Sequence, residues 1–186
     1  MGPAYDLRVS DCTCILCHDY GDADQRDRTD LETIATVRKH GWSVMMIPAD
    51  AEGPGWAHTV GLWHTHRVPE LAMFGLDVEL MRVCLNDLAA KAPAGQPLAT
   101  DVPRDDVIKN YPVYLKEVRR PWYRAFFGQA IGFYREPPFP FQQVVWPDRE
   151  GHFHWDDDRA EQLEQAQPQL WLEPAEHPAG VWTKDL

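Results

Sequence analysis

The stretch that decides the fold is residues 42–63, WSVMMIPADAEGPGWAHTVGLW. In its first part, residues 42–47, both the odd and the even positions are mainly apolar, which is typical of a strand buried on both faces. The Gly-Pro-Gly sequence at 53–55 predicts a turn or loop. Residues 56–63 then predict a second strand, whose side chains alternate between two faces. Two strands joined by so short a connection favour an antiparallel hairpin.

Helices are predicted on both sides of this hairpin. Before it, Thr29 and Glu32 have the spacing of a capping box, and Gly41 is a plausible helix stop. After it, Asp77 predicts the cap of an amphipathic helix. The apolar residues of that helix fall at i, i+3, i+4 and i+7, and they are Met81, Cys84, Leu85 and Leu88.

Further strands are expected at 71–76, 114–118 and 141–146, with a loop over 92–103 and a helix from Pro121 to Tyr134. The turn-like sequence at 147–151 suggests a hairpin whose returning strand is His152–Trp155. Pro137, Pro138 and Pro140 break the chain. Because helices and strands do not alternate regularly, the sequence favours an α+β fold: a largely antiparallel sheet with helices packed against it.

The length of 186 residues fits a single domain. We expect that domain over residues 12–170, with a cysteine-containing N-terminal segment at 1–28 and an irregular, proline-rich tail at 171–186. Trp171 and Trp182 are the side chains expected to attach this tail to the domain.

Composition and charge exclude some classes of protein. The net charge of -11 argues against a nucleic-acid binder, since phosphate contacts need a basic surface. No apolar run is long enough to span a membrane, and residues 1–10 lack the apolar region of a secretory signal. We therefore expect a cytoplasmic protein. The acidic residues concentrate at the two ends, whereas residues 56–147 are nearly neutral, so the acidity is either solvated surface or a face for a basic partner.

Three of the four cysteines are crowded together near the N-terminus. Cys12, Cys14 and Cys17 are followed at once by His18. Thiolates and imidazole are zinc ligands, and C-x-x-C has the spacing of a zinc knuckle, which here would need Cys12 and His18 to complete it. The same residues admit a covalent haem motif, a redox dithiol or ordinary thiols. Cys84, on the apolar face of a helix, is interpreted as a packed core thiol.

The histidines, with Asp156 or Glu70 as a carboxylate ligand, form a second candidate metal site for zinc, iron or another transition metal. In a strand, an H-x-H sequence places both imidazoles on one side, as for His64 with His66 and for His152 with His154. His58 lies close to the first pair in sequence. The alternative interpretation is that these are isolated histidines at hairpin ends, which bind no ion.

Two other groups suggest ligand sites. Aromatic side chains near turns are candidates for lining a pocket together with one histidine, or else for the core: Trp56, His58, Trp63, Trp146 and Trp155. A basic cluster is a candidate anion site or a set of partners for the acidic ends: Lys116, Arg119, Arg120 and Arg124.

An ordered set of short motifs runs through the chain. They are Gly41-Trp42, Trp56–Leu62, Pro69-Glu70-Leu71, Gly75-Leu76, Leu85-Asn86, Gln143–Asp148, Gly151 and Trp155. Together they resemble the bacterial domain of unknown function family 4262 over about residues 12–170. The resemblance implies a compact bacterial intracellular α+β domain, and it brings no activity with it. Similar chains also carry a C-x-x-C that Cys14 and Cys17 match, but typically have Tyr at the position of His58 and Pro at that of His154. Since Pro cannot ligate a metal, this counts against a shared five-histidine site.

Three functions follow as hypotheses, and the sequence leaves open whether the protein is an enzyme. The first is a soluble accessory or ligand-binding domain with an aromatic-lined pocket for a small molecule or protein partner. The second is a zinc-like metal-binding protein or metal-dependent enzyme that uses the cysteine cluster, the histidines or both. The third is an acidic, immunity-type protein that binds a basic partner. The sequence does not predict the oligomeric state.

Overall fold

A computed structural model describes residues 12–21, 27–92, 95–135 and 139–184. Most of the expected N-terminal segment 1–28, and the prolines Pro137 and Pro138 predicted to break the chain, lie outside these residues. The strands are β1 (Ser43–Ile47), β2 (Trp56–Val60), β3 (Glu70–Phe74), β4 (Arg104–Ile108), β5 (Tyr111–Glu117) and β6 (Phe141–Val145). The helices are α1 (Arg28–His40), α2 (Leu62–His66), α3 (Val78–Lys91), α4 (Tyr123–Phe126), α5 (Gly128–Tyr134) and α6 (Gln162–Ala166), with 3-10 turns at Arg120–Trp122 and Val181–Thr183.

The strands form one six-stranded sheet in the order β1-β2-β3-β6-β5-β4. All neighbours are antiparallel except β3 and β6, which pair in parallel in the middle of the sheet. The predicted hairpin of residues 42–63 forms, with Met45 opposite His58. The α+β prediction of a largely antiparallel sheet with packed helices is therefore confirmed.

The two faces of the sheet carry chemically different cores. On one face, α3 packs its apolar stripe against aliphatic side chains of the strands; we call this the aliphatic core, and its members include Met81, Leu85, Leu88, Leu71, Leu115 and Val144. On the other face, α1, α4, α5 and the segment around residue 12 enclose an aromatic core that includes Phe74, Trp122, Phe127, Phe133, Tyr134, Phe141 and Trp182. Because successive side chains of a strand point to opposite faces of the sheet, neighbouring residues belong to opposite cores.

Helix ends follow local side-chain chemistry. Asp77 caps α3 as predicted, because its carboxylate accepts the backbone N–H groups of Glu79 and Leu80. The capping box of α1 lies two residues earlier than predicted and is formed by Asp27 and Asp30. An aspartate accepts the free N–H groups of a first turn as well as threonine does, so two overlapping signals competed. Gly41 ends α1 in the left-handed conformation, as predicted (φ 92°).

Four segments differ from the sequence prediction. The strand starting at Trp56 ends at Val60, because Gly61 turns the chain into α2 with φ 115°. The helix expected from Pro121 to Tyr134 is interrupted at Phe127, between α4 and α5. β4 forms inside a polar stretch that gave no strand signal, and residues 152–155 form turns rather than a strand.

The described chain after α6, residues 167–184, is largely irregular but attached to the sheet. The side-chain amide of Gln143, on β6, donates to Pro168 O (2.6 Å), and its oxygen accepts Leu170 N–H (3.1 Å). Trp122 Nε1 donates to Leu172 O (2.9 Å), and Trp182 is buried in the aromatic core. Within the described ranges, none of the helices combines the length and apolar character that crossing a membrane requires.

Candidate metal centre

Residues 12–21, which we call the cysteine segment, fold into a tight turn. The carbonyl of Cys14 accepts the N–H groups of Cys17 (2.9 Å) and His18 (3.1 Å), so the C-x-x-C closes on itself. The segment is fastened to α5: Ile15 N–H donates to Phe133 O (2.9 Å), and the side chain of Ile15 enters the aromatic core. Local hydrogen bonds therefore bring the thiols together, and contacts of Ile15 with α5 and the aromatic core hold the segment in place.

His64 completes the group from a distant part of the chain. It lies on α2, the single helical turn that follows Gly61. A side chain at Gly61 would crowd the backbone of Gly41, so the tight entry into α2 requires glycine. His64 Nδ1 lies 3.8 Å from the sulfur of Cys12, 3.2 Å from that of Cys14 and 3.4 Å from that of Cys17.

These distances match the edges of a coordination tetrahedron. With Zn–S bonds of about 2.3 Å and a Zn–N bond of about 2.0–2.1 Å, a tetrahedral site has S···N edges of about 3.5 Å. The three observed separations bracket that value, and all four ligand atoms lie within 4.8 Å of one another. Among the residues that the structure describes, this is the only group of three or more His, Cys, Asp or Glu side chains close enough to share an ion.

The three thiols do not ionise alike. A hydrogen bond from Cys14 lowers the pKa of Cys12 to about 3, with further contributions from His64 and Arg67. The same hydrogen bond and burial raise the pKa of Cys14, and burial raises that of Cys17. The cluster therefore favours one thiolate and two thiols in the absence of a cation. A divalent ion changes this, because a coordinating thiol loses its proton.

A buried carboxylate holds the start of α2. Glu70, at the first position of β3, is fully buried and accepts four hydrogen bonds. The donors are Thr59 Oγ1 (2.5 Å), the backbone N–H groups of Gly61 (2.9 Å) and Trp63 (3.1 Å), and the Tyr134 hydroxyl. Burial raises the pKa of Glu70, while the four donors oppose that shift. The carboxylate thus substitutes for the helix cap that Gly61 cannot provide.

Tyr134 connects the two halves of the cluster. Its hydroxyl donates to Glu70 and accepts the backbone N–H of Gly61 (3.0 Å) and of His64 (3.3 Å). Its backbone carbonyl accepts the hydroxyl of Thr13 (2.8 Å), which lies between two of the cysteines. One residue at the end of α5 therefore positions both the histidine and the cysteine segment.

The remaining histidines do not join this group. His18 is exposed and lies outside the group, and His66 lies beside the ring of Trp42 (5.9 Å between centroids). His152 lies near Asp148 (3.6 Å), whereas His154 is buried beside Trp171. Because His64 and His66 are on a helix and residues 152–155 are in turns, neither H-x-H pair has the strand geometry that the sequence suggested.

The predicted pocket residues are spread over several environments. Trp56 packs on Phe74 and Phe126. His58 is buried, edge-on to the stacked rings of Phe127 and Phe141, and Trp63 is buried near Arg67. Trp146 donates its indole N–H to Phe74 O (2.8 Å), and Trp155 is exposed, stacked on Phe153. A cavity of about 740 Å³ lies beside His177 and Trp182, and none of the five predicted residues lines it. A ligand pocket stays a prediction.

The basic cluster lies on the surface. Lys116 pairs with Asp101 and lies 4.6 Å from the ring of Trp155. Arg119 donates to Trp171 O (3.2 Å) and lies 3.7 Å from a carboxylate oxygen of Glu173. Arg120 and Arg124 are exposed. Anion binding also stays a prediction.

The sequence predicted all four members of this group as metal candidates but did not place them together. Cys12, Cys14 and Cys17 were joined to the adjacent His18, and His64 was joined to His66. Glu70 was considered only as a metal ligand beside the histidines, and Tyr134 was not identified as a site residue. One signal was available for Glu70: an acidic residue that opens an otherwise apolar strand is expensive to bury unless its hydrogen bonds are satisfied.

A family model described as "Domain of unknown function (DUF4262)" matches residues 36–160, which is more than half of the chain. The matched range contains His64, Glu70 and Tyr134 and begins after the cysteine segment. No curated protein and no solved structure matches the chain.

Proposed function

The chain belongs to the family of domains of unknown function DUF4262, and from that starting point, which supplies no activity, we propose that it is a zinc-binding domain in which Cys12, Cys14, Cys17 and His64 hold one ion. The observation that carries the proposal is the approach of three sulfurs to one imidazole nitrogen, at 3.2–3.8 Å. The four side chains come from two distant parts of the chain, the cysteine segment and α2.

The donor set favours zinc. Thiolates are soft ligands that suit Zn²⁺ and Cu(I), whereas Mg²⁺, Ca²⁺ and Mn²⁺ prefer oxygen. Three cysteines and one histidine in a tetrahedron are an established zinc set. Three thiolates, one neutral imidazole and Zn²⁺ leave a net charge of -1, and the guanidinium of Arg67, which hydrogen-bonds to Cys12, offsets that charge.

The coordination geometry supports a structural role for the ion. Four protein ligands fill a tetrahedral shell, whereas a catalytic zinc keeps one position for water or substrate. The ion would join the cysteine segment to α2 and so close one end of the aromatic core.

The test is the metal content of the full chain, purified without a polyhistidine tag and weighed intact under native and denaturing conditions. We expect one zinc per chain in the native spectrum and none after denaturation. His64→Ala is expected to abolish stoichiometric zinc, while the matched change His18→Ala leaves it intact, since His18 lies outside the cluster. Cys84→Ala serves as the cysteine control, because Cys84 is buried on α3.

Cobalt substitution adds a readout of geometry. Co²⁺ in a tetrahedral site with thiolates absorbs through intense d–d bands and through sulfur-to-metal charge transfer. We expect both in the wild-type chain. A chain that binds neither zinc nor cobalt at concentrations far above the protein's, or equal binding by His64→Ala and wild type, overturns the proposal.

A further inference from the structure

The three sulfurs of the cluster differ in their access to solvent. Cys14 is fully buried and Cys12 is 4% exposed, whereas Cys17 is exposed. A small oxidant dissolved in water therefore meets the sulfur of Cys17 first. Burial of Cys12 and Cys14 makes them the protected members of the set.

Cys17 also has a partner positioned for a disulfide. The N–H of Cys17 bonds to the carbonyl of Cys14, which makes these residues the first and fourth of a turn. The Cα atoms of such residues lie within about 7 Å, and disulfides span Cα separations of about 4.4–6.8 Å. Both sulfurs already face the same nitrogen of His64, at 3.2 and 3.4 Å. A bond between them needs no movement of a helix or strand.

We infer that Cys14 and Cys17 are a peroxide-sensitive thiol pair, whose oxidation to a disulfide releases the metal ion. The inference rests on the proposed zinc site and gives it a regulation. The cluster would then both fasten the cysteine segment and report the redox state of the solution.

The chemistry balances with hydrogen peroxide as the oxidant. The Cys17 thiolate attacks peroxide, the O–O bond breaks, an S–O bond forms, and hydroxide leaves. The Cys14 thiolate then attacks the sulfur of Cys17: the S–S bond forms, the S–O bond breaks, and a second hydroxide leaves. Two protons from solvent convert both hydroxides to water. Two electrons pass from the two sulfurs to the peroxide, and zinc, which has no redox chemistry of its own, keeps its charge.

Oxidation leaves zinc with two of its four protein ligands, Cys12 and His64. The cysteine segment keeps its bonds to α5 through Ile15 N–H and the Thr13 hydroxyl. Its connection to α2 through the ion is lost. The structural effect of oxidation is therefore confined to the contact between the segment and His64.

The test treats the zinc-loaded Cys84→Ala chain with hydrogen peroxide, so that the cluster supplies every remaining thiol. Released zinc is followed with a chromogenic chelator. Disulfide formation is followed by the loss of two hydrogens from the intact mass, and the remaining free thiol is alkylated and located by tandem mass spectrometry. We expect one zinc released per disulfide, the free thiol at Cys12, and recovery of zinc binding after thiol reduction.

A second measurement does not depend on oxidation. Under limiting N-ethylmaleimide, Cys17 in the zinc-loaded chain is expected to be alkylated before Cys12 and Cys14. Retention of zinc at peroxide concentrations that oxidise free cysteine in the same solution overturns this inference and leaves the proposed metal site standing. A free thiol at Cys17, or first alkylation at a buried cysteine, also overturns it. A chain that binds no zinc at the outset overturns the metal site itself.

Discussion

Replacing Tyr134 by Phe removes one oxygen from behind the metal centre without removing a ligand. The hydroxyl donates to Glu70 and accepts the backbone N–H groups of Gly61 and His64. His64 lies in the first turn of α2, where backbone N–H groups lack intrahelical partners. In the Tyr134→Phe chain that N–H loses the acceptor that satisfies it.

The size of the effect follows from these bonds. An unsatisfied buried donor costs about 1–3 kcal/mol, and a lost hydrogen bond to a charged group costs about 1.5–3 kcal/mol. Because the His64 N–H is only part-buried, the effect should fall below the sum of these two costs, and we expect Tyr134→Phe to lower the free energy of unfolding by about 2–5 kcal/mol. Loss of a group that orients a metal ligand typically costs about 10–100-fold in metal affinity, and we expect a decrease in zinc affinity of that size.

The assay is zinc competition against a chromophoric chelator, together with urea unfolding. The matched control is Tyr123→Phe, which also removes a buried hydroxyl, the acceptor of Phe141 N–H at 3.0 Å, but away from the cluster. We expect this control to lose stability and keep its zinc affinity. Unchanged zinc affinity in Tyr134→Phe, or an equal loss in both variants, refutes the positioning role.

Three further outcomes are expected. Removing zinc with a chelator should lower the Tm and expose residues 12–21 to proteases, because free zinc at 1,000 times its Kd stabilises the folded chain by about 4 kcal/mol. An unchanged Tm in calorimetry contradicts this. Gly75→Ala should lower the free energy of unfolding in urea by about 2–5 kcal/mol, because the backbone at Gly75 is left-handed (φ 77°) and a new Cβ would meet the carbonyl of Ala166. Gly128→Ala is the control: it has open space around it and should lower that free energy far less. Burial lowers the pKa of His58 to about 4, from an ordinary value of 6.5. The folded chain therefore keeps its full stability above pH 6.5 and loses stability as the pH falls toward 4, because only the unfolded chain readily protonates this imidazole. The loss is about 2 kcal/mol at pH 5. His58→Phe should remove that part of the difference between urea unfolding at pH 7.5 and pH 5, and an undiminished difference contradicts the assignment.

Local chemistry made much of the fold predictable. The stripe of α3, its cap at Asp77 and the hairpin of residues 42–63 depend on residues close together in sequence, and all three form as expected. The parallel pairing of β3 with β6 was not predictable in this way. It joins strands that are far apart in the chain, and neither strand carries a pattern that specifies its neighbour.

The same distinction between local and long-range contacts applies to the candidate metal centre. The close spacing of the three cysteines is visible in the sequence, but the tertiary structure determines which histidine joins them. His18 is adjacent in sequence but is exposed and lies outside the cluster, whereas α2 places His64 beside the three sulfurs. A helical turn at Gly61 cannot be distinguished by pattern from a strand that continues to Trp63. The prediction of H-x-H strand geometry was wrong for that reason.

The central position of β6 has a consequence for synthesis of the chain. While the ribosome has translated only the first 140 residues, the unit β1-β2-β3 and the hairpin β4-β5 each present an open edge where β6 will insert. Unpaired edges are templates for association with other chains. The nascent protein therefore passes through a state in which β3 and β5 each have an unpaired edge, and β6 covers both edges when it is added. Chains that terminate before Phe141 retain both edges and are prone to aggregate, whatever metal is supplied.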